Sequence, residues 1–505
     1  MSVDLVQIRL EPLSVVCTAA RGAPLLSALA THGIEFPCGG TGVCGGCGVR
    51  VLEGLLPVTA ADQAHFSAEE LAGGWRLACQ ARAEEPLVLE CRQWRMDVLT
   101  DNSSLSSTGK SGLGIAIDLG TTTIVAQMID LSSGRVLSVE TGLNPQTQFG
   151  SDVMSRIQAA LSGADLTATI RAALRQMIEK VASGREQEIA EVILVGNTVM
   201  HHLFSGLNVE PLSHTPFVSF ALEEQHFRPQ DLRWPLPPTC SIRFARCLGG
   251  FVGSDILAGI VATGMTRSNN LVALVDLGTN GEIAIGNRDG VVCASTAAGP
   301  AFEAGSIRMG MRAVTGAIAH LSLARGVLRT AVIGDVEPRG ICGSGLVDVA
   351  AVGLESRAIL ASGRFANGAR WYPVSSKVVL WQSDIRELQL AKAAIASGFR
   401  LLLKRIGAGI GDLERIHLAG AFGNYVRIES AIRIGLIESA KEVVHAAGNT
   451  ALRGAKMLLT TGEPQLAPIE HVSLATVPGF EDEFVNCMAF PETGTENCIL
   501  PIGYQ

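Results

Sequence analysis

Two stretches decide the fold: Gly114-Ile-Ala-Ile-Asp-Leu-Gly-Thr-Thr-Thr-Ile-Val-Ala126 and Val272-Ala-Leu-Val-Asp-Leu-Gly-Thr-Asn-Gly-Glu-Ile-Ala284. Each reads as an apolar strand ending in Asp, a Gly-Thr turn, and a second strand. Polar turns follow both, Ser132-Ser-Gly134 and Asn287-Arg-Asp-Gly290, and a further apolar run comes after each, so each half opens with a β-meander. Later in each half a strand runs into a small-residue turn, at Val192-Ile-Leu-Val-Gly-Asn-Thr198 and at Ile416-His-Leu-Ala-Gly-Ala-Phe-Gly423. The same order of parts occurs twice, which is a diverged internal duplication.

Helices are expected between these strands. Over Asp165–Ala182 the residues Leu166, Ile170, Ala173, Leu174, Met177, Ile178 and Val181 recur on one helical face. In the second half, Asp384-Ile-Arg-Glu387 has the side chains of an N-cap reinforced three residues on, and Leu388, Ala391, Ile395, Phe399, Leu402 and Ile406 form the stripe behind it. Strands alternating with capped helices in two similar halves predict two α/β lobes facing across a cleft, about 113–265 and 270–505.

Outward from the duplication, Thr100-Asp-Asn-Ser-Ser-Leu-Ser-Ser-Thr-Gly-Lys-Ser-Gly112 has no apolar face to bury, and residues 99–112 are expected to form a flexible linker. Residues 1–98 read as an α+β unit of short strands around one helix. Val3–Leu10 and Leu13–Thr18 form a hairpin and Pro24–His32 the helix, enough for a small β-grasp domain. The whole is α+β followed by α/β.

That small domain carries Cys38-Gly-Gly-Thr-Gly-Val-Cys44-Gly-Gly-Cys47 and, further on, Cys79. Four soft thiolates in this arrangement, with six glycines between positions 39 and 48, read as a [2Fe–2S] site. The glycines let a loop wrap an inorganic core and aim N–H groups at its sulfurs. A structural zinc is the alternative, but zinc sites favour two close cysteine pairs, and Cys79 has no such neighbour. The five-residue first gap resembles adrenodoxin-like ferredoxins. Cys17 and Cys91 read as buried strand residues.

In the duplicated part a carboxylate at a strand end, beside a turn with free N–H groups, is a place for phosphate and metal. Asp118 and Asp276 are expected to face Mg²⁺ through water, with Gly120, Thr121 and Thr122 opposite Gly278, Thr279 and Asn280 around the phosphates. Gly420 and Gly423 fall where a nucleoside-contacting turn is expected. One such turn is ordinary; two in matching contexts are not. The pair resembles the sugar kinase, Hsp70 and actin superfamily, the duplicated RNase H-like fold also called ASKHA, over residues 113–505.

Further segments sharpen the resemblance: Asn144-Pro-Gln-Thr-Gln-Phe-Gly-Ser-Asp-Val-Met-Ser-Arg-Ile157, Gly196-Asn-Thr-Val-Met-His-His202, Ala298-Gly-Pro-Ala-Phe-Glu303 and Gly340-Ile-Cys-Gly-Ser-Gly345. Together with the cysteine loop they resemble the reductive activators of corrinoid proteins. The resemblance implies a [2Fe–2S] cluster and ATP with Mg²⁺, used to return cob(II)alamin to cob(I)alamin in a corrinoid protein of methyl transfer. It also implies a low-potential electron donor upstream and a homodimer. The chain departs from it where many relatives carry a longer linker and a small middle domain, since only residues 99–112 intervene here. Two other readings are an activator of a radical dehydratase, whose relatives use a [4Fe–4S] cluster that this cysteine pattern does not match, and a redox-sensing regulator.

Composition bounds the rest. A net charge of −8 and the absence of any Lys/Arg run argue against nucleic acid as a partner. The apolar stretches Leu271–Leu277 and Phe251–Thr263 are short or broken by Asp276 and Asp255, so no membrane span is expected, and no secretory leader is read at Met1. A cytoplasmic protein is the expectation, consistent with cysteines scattered through apolar segments. His201 and His202 read as structural, Cys342 and Ser344 as small residues entering a helix, and Glu282 and Glu303 as either water- or metal-orienting groups or ordinary surface carboxylates.

Overall fold

A computed structural model of the chain describes residues 4–504 apart from 12–14, 31, 33, 35, 37–39, 43–46, 92–99, 104–109, 151, 279, 325–326, 463 and 493–502. The first sheet holds β1 (Leu5–Glu11), β2 (Val15–Ala20), β3 (Gly48–Glu53), β4 (Trp75–Leu77) and β5 (Leu87–Cys91) in the order β2-β1-β5-β3-β4. The hairpin is β1 against β2, with Ile8 opposite Cys17. Val6, Ile8 and Leu10 are buried while their neighbours are exposed, so the period-2 pattern sets one core face. The expected helix contracts to α1 (Leu25–Ala30), which buries Leu25 and Leu29 one turn apart. Helices α2 (Ala60–His65) and α3 (Ala68–Ala72) each open with a capping box, Thr59 with Asp62 and Ser67 with Glu70.

The duplication is visible in three dimensions. In the first lobe β6 (Leu113–Leu119), β7 (Thr123–Asp130) and β8 (Arg135–Leu143) form the meander. The helices α4 (Val153–Leu161), α5 (Leu166–Ala182) and α6 (Thr198–Ser205) then alternate with β9 (Ile189–Val195), β10 (Gln225–Phe227) and β11 (Ser241–Phe244), with the short α7 (Pro229–Leu232) before β11. The sheet order is β10-β11-β9-β6-β7-β8, with β9 parallel to both β6 and β11.

After α8 (Ser254–Thr263) the second lobe repeats the scheme with β12 (Leu271–Leu277), β13 (Gly281–Asn287) and β14 (Gly290–Thr296). A side sheet follows, with β15 (Ala317–Ala324), β16 (Val327–Val332) and β17 (Gly340–Ile341); then come α9 (Gly343–Glu355), a hairpin of β18 (Trp371–Pro373) and β19 (Val379–Trp381), and α10 (Gln382–Arg405). Next come β20 (Leu413–Ala419), α11 (Gly420–Tyr425), α12 (Ile428–Arg433), β21 (Val444–Gly448), α13 (Thr450–Thr461) and β22 (Ile469–His471), followed by α14 (Phe480–Asn486) and β23 (Gly503–Tyr504), which pairs with β16. The order β21-β20-β12-β13-β14-β22 matches the first lobe strand for strand from β11 to β8.

Two helices lie between the lobes. Ala258 and Val261 of α8 pack with Leu452, Ala455 and Leu458 of α13 on the first sheet, and Ile256 and Ile260 on the other side of α8 pack on Val272 and Leu274 of the second. The helices cross at close range, because a Cβ on Gly454 would stand 1.9 Å from the Ala258 carbonyl oxygen.

Two local expectations change. Asp384 is not the N-cap of α10: the helix starts at Gln382, and the buried Asp384 carboxylate reaches back to the N–H of Trp381 at 2.9 Å and to that of Arg308 at 3.1 Å. A carboxylate at the third helical position satisfies the free N–H of the turn before it, a geometry whose side-chain types resemble those of a cap. The linker, read as a tether without anchors, is held at both described ends. The buried Lys456 Nζ donates to the Asp101 carbonyl at 2.7 Å and to the Ser103 carbonyl at 2.8 Å, and Lys110 donates to Glu191 at 2.9 Å. Its composition signals no apolar face, but backbone carbonyls meeting a buried cation need none. Among the described residues no helix is long and apolar enough to cross a membrane.

Candidate functional site

The cysteine loop and the cleft are two separate constructions. In the first, the β3–β4 register sets Gly48 opposite Leu77, which brings the preceding Cys47 beside the turn after Leu77 that carries Cys79. Ala78 N–H donates to the Cys47 carbonyl at 3.0 Å and closes the pair of turns. The Gln80 amide donates to the Gly40 carbonyl at 2.8 Å and stands 3.4 Å from Cys79 Sγ, so one side chain orients both loop backbone and sulfur. His65 Nε2 lies 2.8 Å from the Gly42 carbonyl oxygen. Gly40 has φ +85, and a Cβ there would stand 2.4 Å from Leu26; the loop is thus built tight at a position only glycine tolerates. Cys38 and Cys44 lie outside the described residues.

Soft sulfur donors, a glycine-walled loop and an amide aimed at a sulfur fit an iron–sulfur cluster. The other thiols of this domain do not compete. Burial pushes Cys17 up to about 11, and Cys91 is raised further by burial and then by Cys17. Both are held as protonated core thiols.

The cleft joins the two Asp-Gly-Thr turns. Its wall includes Asp118, Gly120, Thr121, Thr122 and Thr123 from the first lobe, and Asp276, Gly278, Asn280 and Gly420 from the second. Thr279 falls outside the described residues. Gly423 does not reach the wall; it sits one turn along α11, where a Cβ would meet the Leu418 carbonyl carbon at 3.2 Å. Gly420 has φ +79, and a Cβ on it would be 2.5 Å from Asp276 Oδ1, so glycine is required for turn and carboxylate to meet. The first turn is braced from behind. Asn144 Nδ2 donates to the Gly120 carbonyl and Asn197 Nδ2 to Thr121 Oγ1, each at 2.9 Å.

Among the described residues five carboxylates line the cleft: Asp118, Asp255, Asp276, Glu282 and the exposed Glu303. Burial raises Asp118 to about 6, against a hydrogen bond from Asn449 that lowers it; burial and then the charge of Asp118 raise Asp276 to about 7. Asp255 of α8 and Glu282 of β13 are raised by burial first and by their charged neighbours second, Asp276 for the former and Asp255 for the latter. Carboxylates crowded in low dielectric resist ionising together unless a cation shares them. Among the described residues no three of these side chains stand close enough together to hold a metal ion directly, so a cation shared here would be reached through water.

Asp118 and Asp276, and the two weighed carboxylates Glu282 and Glu303, all line the cleft, where Asp255 and Asn449, unmarked in the sequence, join them from elsewhere in the chain. The start of α9 belongs with them. Cys342 and Ser344 are bonded to the Ile318 and Ala319 carbonyls, as small structural residues would be, yet with Gly343 they put the first turn of a long helix on the cleft wall. Free N–H groups at such a turn attract anions. Arg312 adds a cation to the same wall. His201 and His202 are fully buried and neutral: desolvation lowers both, His202 bonds Ser219 at 2.6 Å, and His201 sets its edge on Phe244.

Three family models match the chain. Residues 8–84 match the 2Fe-2S iron-sulfur cluster binding domain, 113–268 the RACo middle region, and 270–499 the C-terminal domain of RACo, the ASKHA domain. The model called the middle region thus lies on the first lobe. The corrinoid activation enzyme RamQ of Eubacterium limosum is 36% identical over 74% of this chain and 69% of its own length. The [Co(II) methylated amine-specific corrinoid protein] reductase of Methanosarcina barkeri is 26% identical over 68% of this chain and 69% of its own. A solved structure, the reductive activator for corrinoid, iron-sulfur protein, superposes with TM-score 0.65 at 25% identity, covering 97% of this chain and 99% of that one. With an iron–sulfur domain ahead of both lobes and a relative this similar, the chain belongs to the RACo family of corrinoid activation enzymes.

Proposed function

We propose that this protein is an ATP-assisted reductive activator that returns the Co(II) of a corrinoid protein to Co(I). One electron arrives from a low-potential donor and one leaves to cobalt, so the transfer balances electron for electron. The observation that carries the reading is the joining, in one chain, of a sulfur-lined loop with a two-lobed carboxylate cleft, in the same order as in the activators it resembles over nearly its full length.

On this reading residues 1–98 bind the cluster through Cys38, Cys44, Cys47 and Cys79, 99–112 connect, and 113–505 bind nucleotide between lobes of about 113–265 and 270–505. A [2Fe–2S] cluster supplies a one-electron carrier. Around it Gln80 and His65 fix the loop backbone, and the buried core behind excludes water. In the cleft Asp118 and Asp276 would face a hydrated Mg²⁺ through water, on a wall that also carries Asp255 and Glu282. Gly120, Thr121 and Thr122, opposite Gly278, Thr279 and Asn280, take the phosphates with the start of α9 and Arg312. Gly420 borders the nucleoside, and Gly423 acts from behind by letting α11 close on β20. Association as a homodimer in a reducing cytoplasm completes the proposal.

The test is anaerobic. Protein, a chemical reductant and a cob(II)alamin-bearing corrinoid protein are mixed, and the cob(I)alamin absorption band is followed with and without ATP. A band that depends on ATP and disappears in Cys79→Ser is the expected result; an undiminished band in that variant overturns cluster-mediated transfer.

A further inference from the structure

The N-terminal domain touches both lobes. On the first lobe, Leu143 at the end of β8 is buried within the core of the N-terminal domain itself. On the second, Arg339 makes a two-pronged ion pair with Glu70 of α3, Nη2 to Oε2 at 2.7 Å and Nη1 to Oε1 at 3.3 Å, and its guanidinium lies 5.4 Å from the centre of the Phe66 ring. Arg339 is only 11% exposed and Glu70 24%, so this pair is more than a surface contact.

Each contact is wired to the nucleotide cleft. Leu143 stands opposite Thr123 in the β7–β8 register, and the next residue, Asn144, donates its N–H to the Thr122 carbonyl at 2.8 Å. Arg339 directly precedes β17, which runs into Cys342, Gly343 and Ser344 of the cleft wall; Ile341 of β17 bonds Met309 and Met311 beside Arg312. On the other side α2 ends in His65, bonded to the cysteine loop at Gly42, and Phe66 and Glu70 follow at once. One short path therefore leads from cysteine loop to ion pair to cleft.

A ligand held by groups from both lobes favours one lobe separation. A packed domain fastened to both lobes also fits one separation best, because packed interfaces do not stretch continuously. We propose that the N-terminal domain is a strap across the cleft, so that nucleotide binding and its docking on Arg339 are thermodynamically coupled. The inference rests on the nucleotide reading above. Linkage makes the coupling reciprocal: a change at the strap must alter nucleotide affinity although Arg339 touches no nucleotide.

The test uses the full-length, cluster-loaded chain and a non-hydrolysable ATP analogue with Mg²⁺, titrated by calorimetry. Glu70→Arg and Arg339→Glu are each expected to shift the affinity by about fivefold in a common direction, and the double charge swap to restore it to within about twofold. Glu70→Gln, which removes the pair without repulsion and preserves folding best, should shift it the same way by less. Equal affinities in all four variants, with solution scattering showing the single variants more extended, would mean a contact that does not communicate and would overturn the proposal. A wild-type chain that binds no analogue would instead remove the nucleotide reading on which the strap rests.

Discussion

Asp276 is held protonated in the cleft to about pH 7, whereas an unfolded carboxylate titrates near 3.9. Between those values the native state keeps a proton that the unfolded chain has released, so its advantage is greatest at the acid end and is lost as pH rises through about 7. Asp276→Asn removes the cost of ionising there. Without nucleotide or divalent cation its melting temperature should exceed wild type by a few degrees at pH 8, the gain shrinking steadily toward pH 4. With Mg²⁺ and nucleotide the order should reverse, since the variant has lost an oxygen for the metal; thermal scans at several pH values check both halves. Arg312→Gln should weaken nucleotide binding by about tenfold while leaving the iron–sulfur absorption unchanged, as measured by titration. The two Asp residues were legible because strand, Asp and Gly-Thr are contiguous in the chain. Asp255, Asn449 and Arg312 were not, because each comes from a segment whose place beside them only the folded lobes define. Among the cysteines, Cys47 and Cys79 are brought side by side by the β3–β4 register, while Cys38 and Cys44 lie outside the described residues.

At the scale of elements, the meanders and α5 follow from periodicity, which is local, while helix starts and the linker depended on partners far along the chain. Asp384 looked like a cap because a cap and a third-position carboxylate use the same side chain, and which one forms depends on where Trp381 packs. The linker looked unanchored because its partner, Lys456, lies in α13. Burial lowers the Lys456 ammonium and Asp101 counters it, so the charge survives through its bonds to the linker. Lys456→Met should cost about 1–3 kcal/mol in urea unfolding, because carbonyls it satisfied lose their donor. At the helix crossing, Gly454→Ala forces a methyl against the Ala258 carbonyl and should cost about 1–3 kcal/mol. Because α13 also delivers Asn449 to the cleft, that variant should lose nucleotide affinity as well as stability; a stability loss with affinity intact would show that the crossing does not set the lobe angle.

For the whole molecule the question is how a nucleotide site can serve an electron. Plant-type clusters work near −400 mV, and a cobalt couple lying lower makes transfer uphill by about 2.3 kcal/mol for every 100 mV. Binding ATP cannot supply that difference unless ATP binds one docked arrangement more tightly than the other, because a ligand shifts an equilibrium only by its differential affinity. The requirement is quantitative. To offset 100 mV, nucleotide affinity must differ by about fortyfold between the docked complex before the electron moves and the same complex after it. Titrating the non-hydrolysable analogue into the docked complex with cobalt held as Co(II), and again with cobalt reduced to Co(I), measures that ratio directly. A ratio of one would place the driving force in hydrolysis rather than in binding, and a ratio near fortyfold that falls in Arg339→Glu would trace it to the domain that spans the cleft.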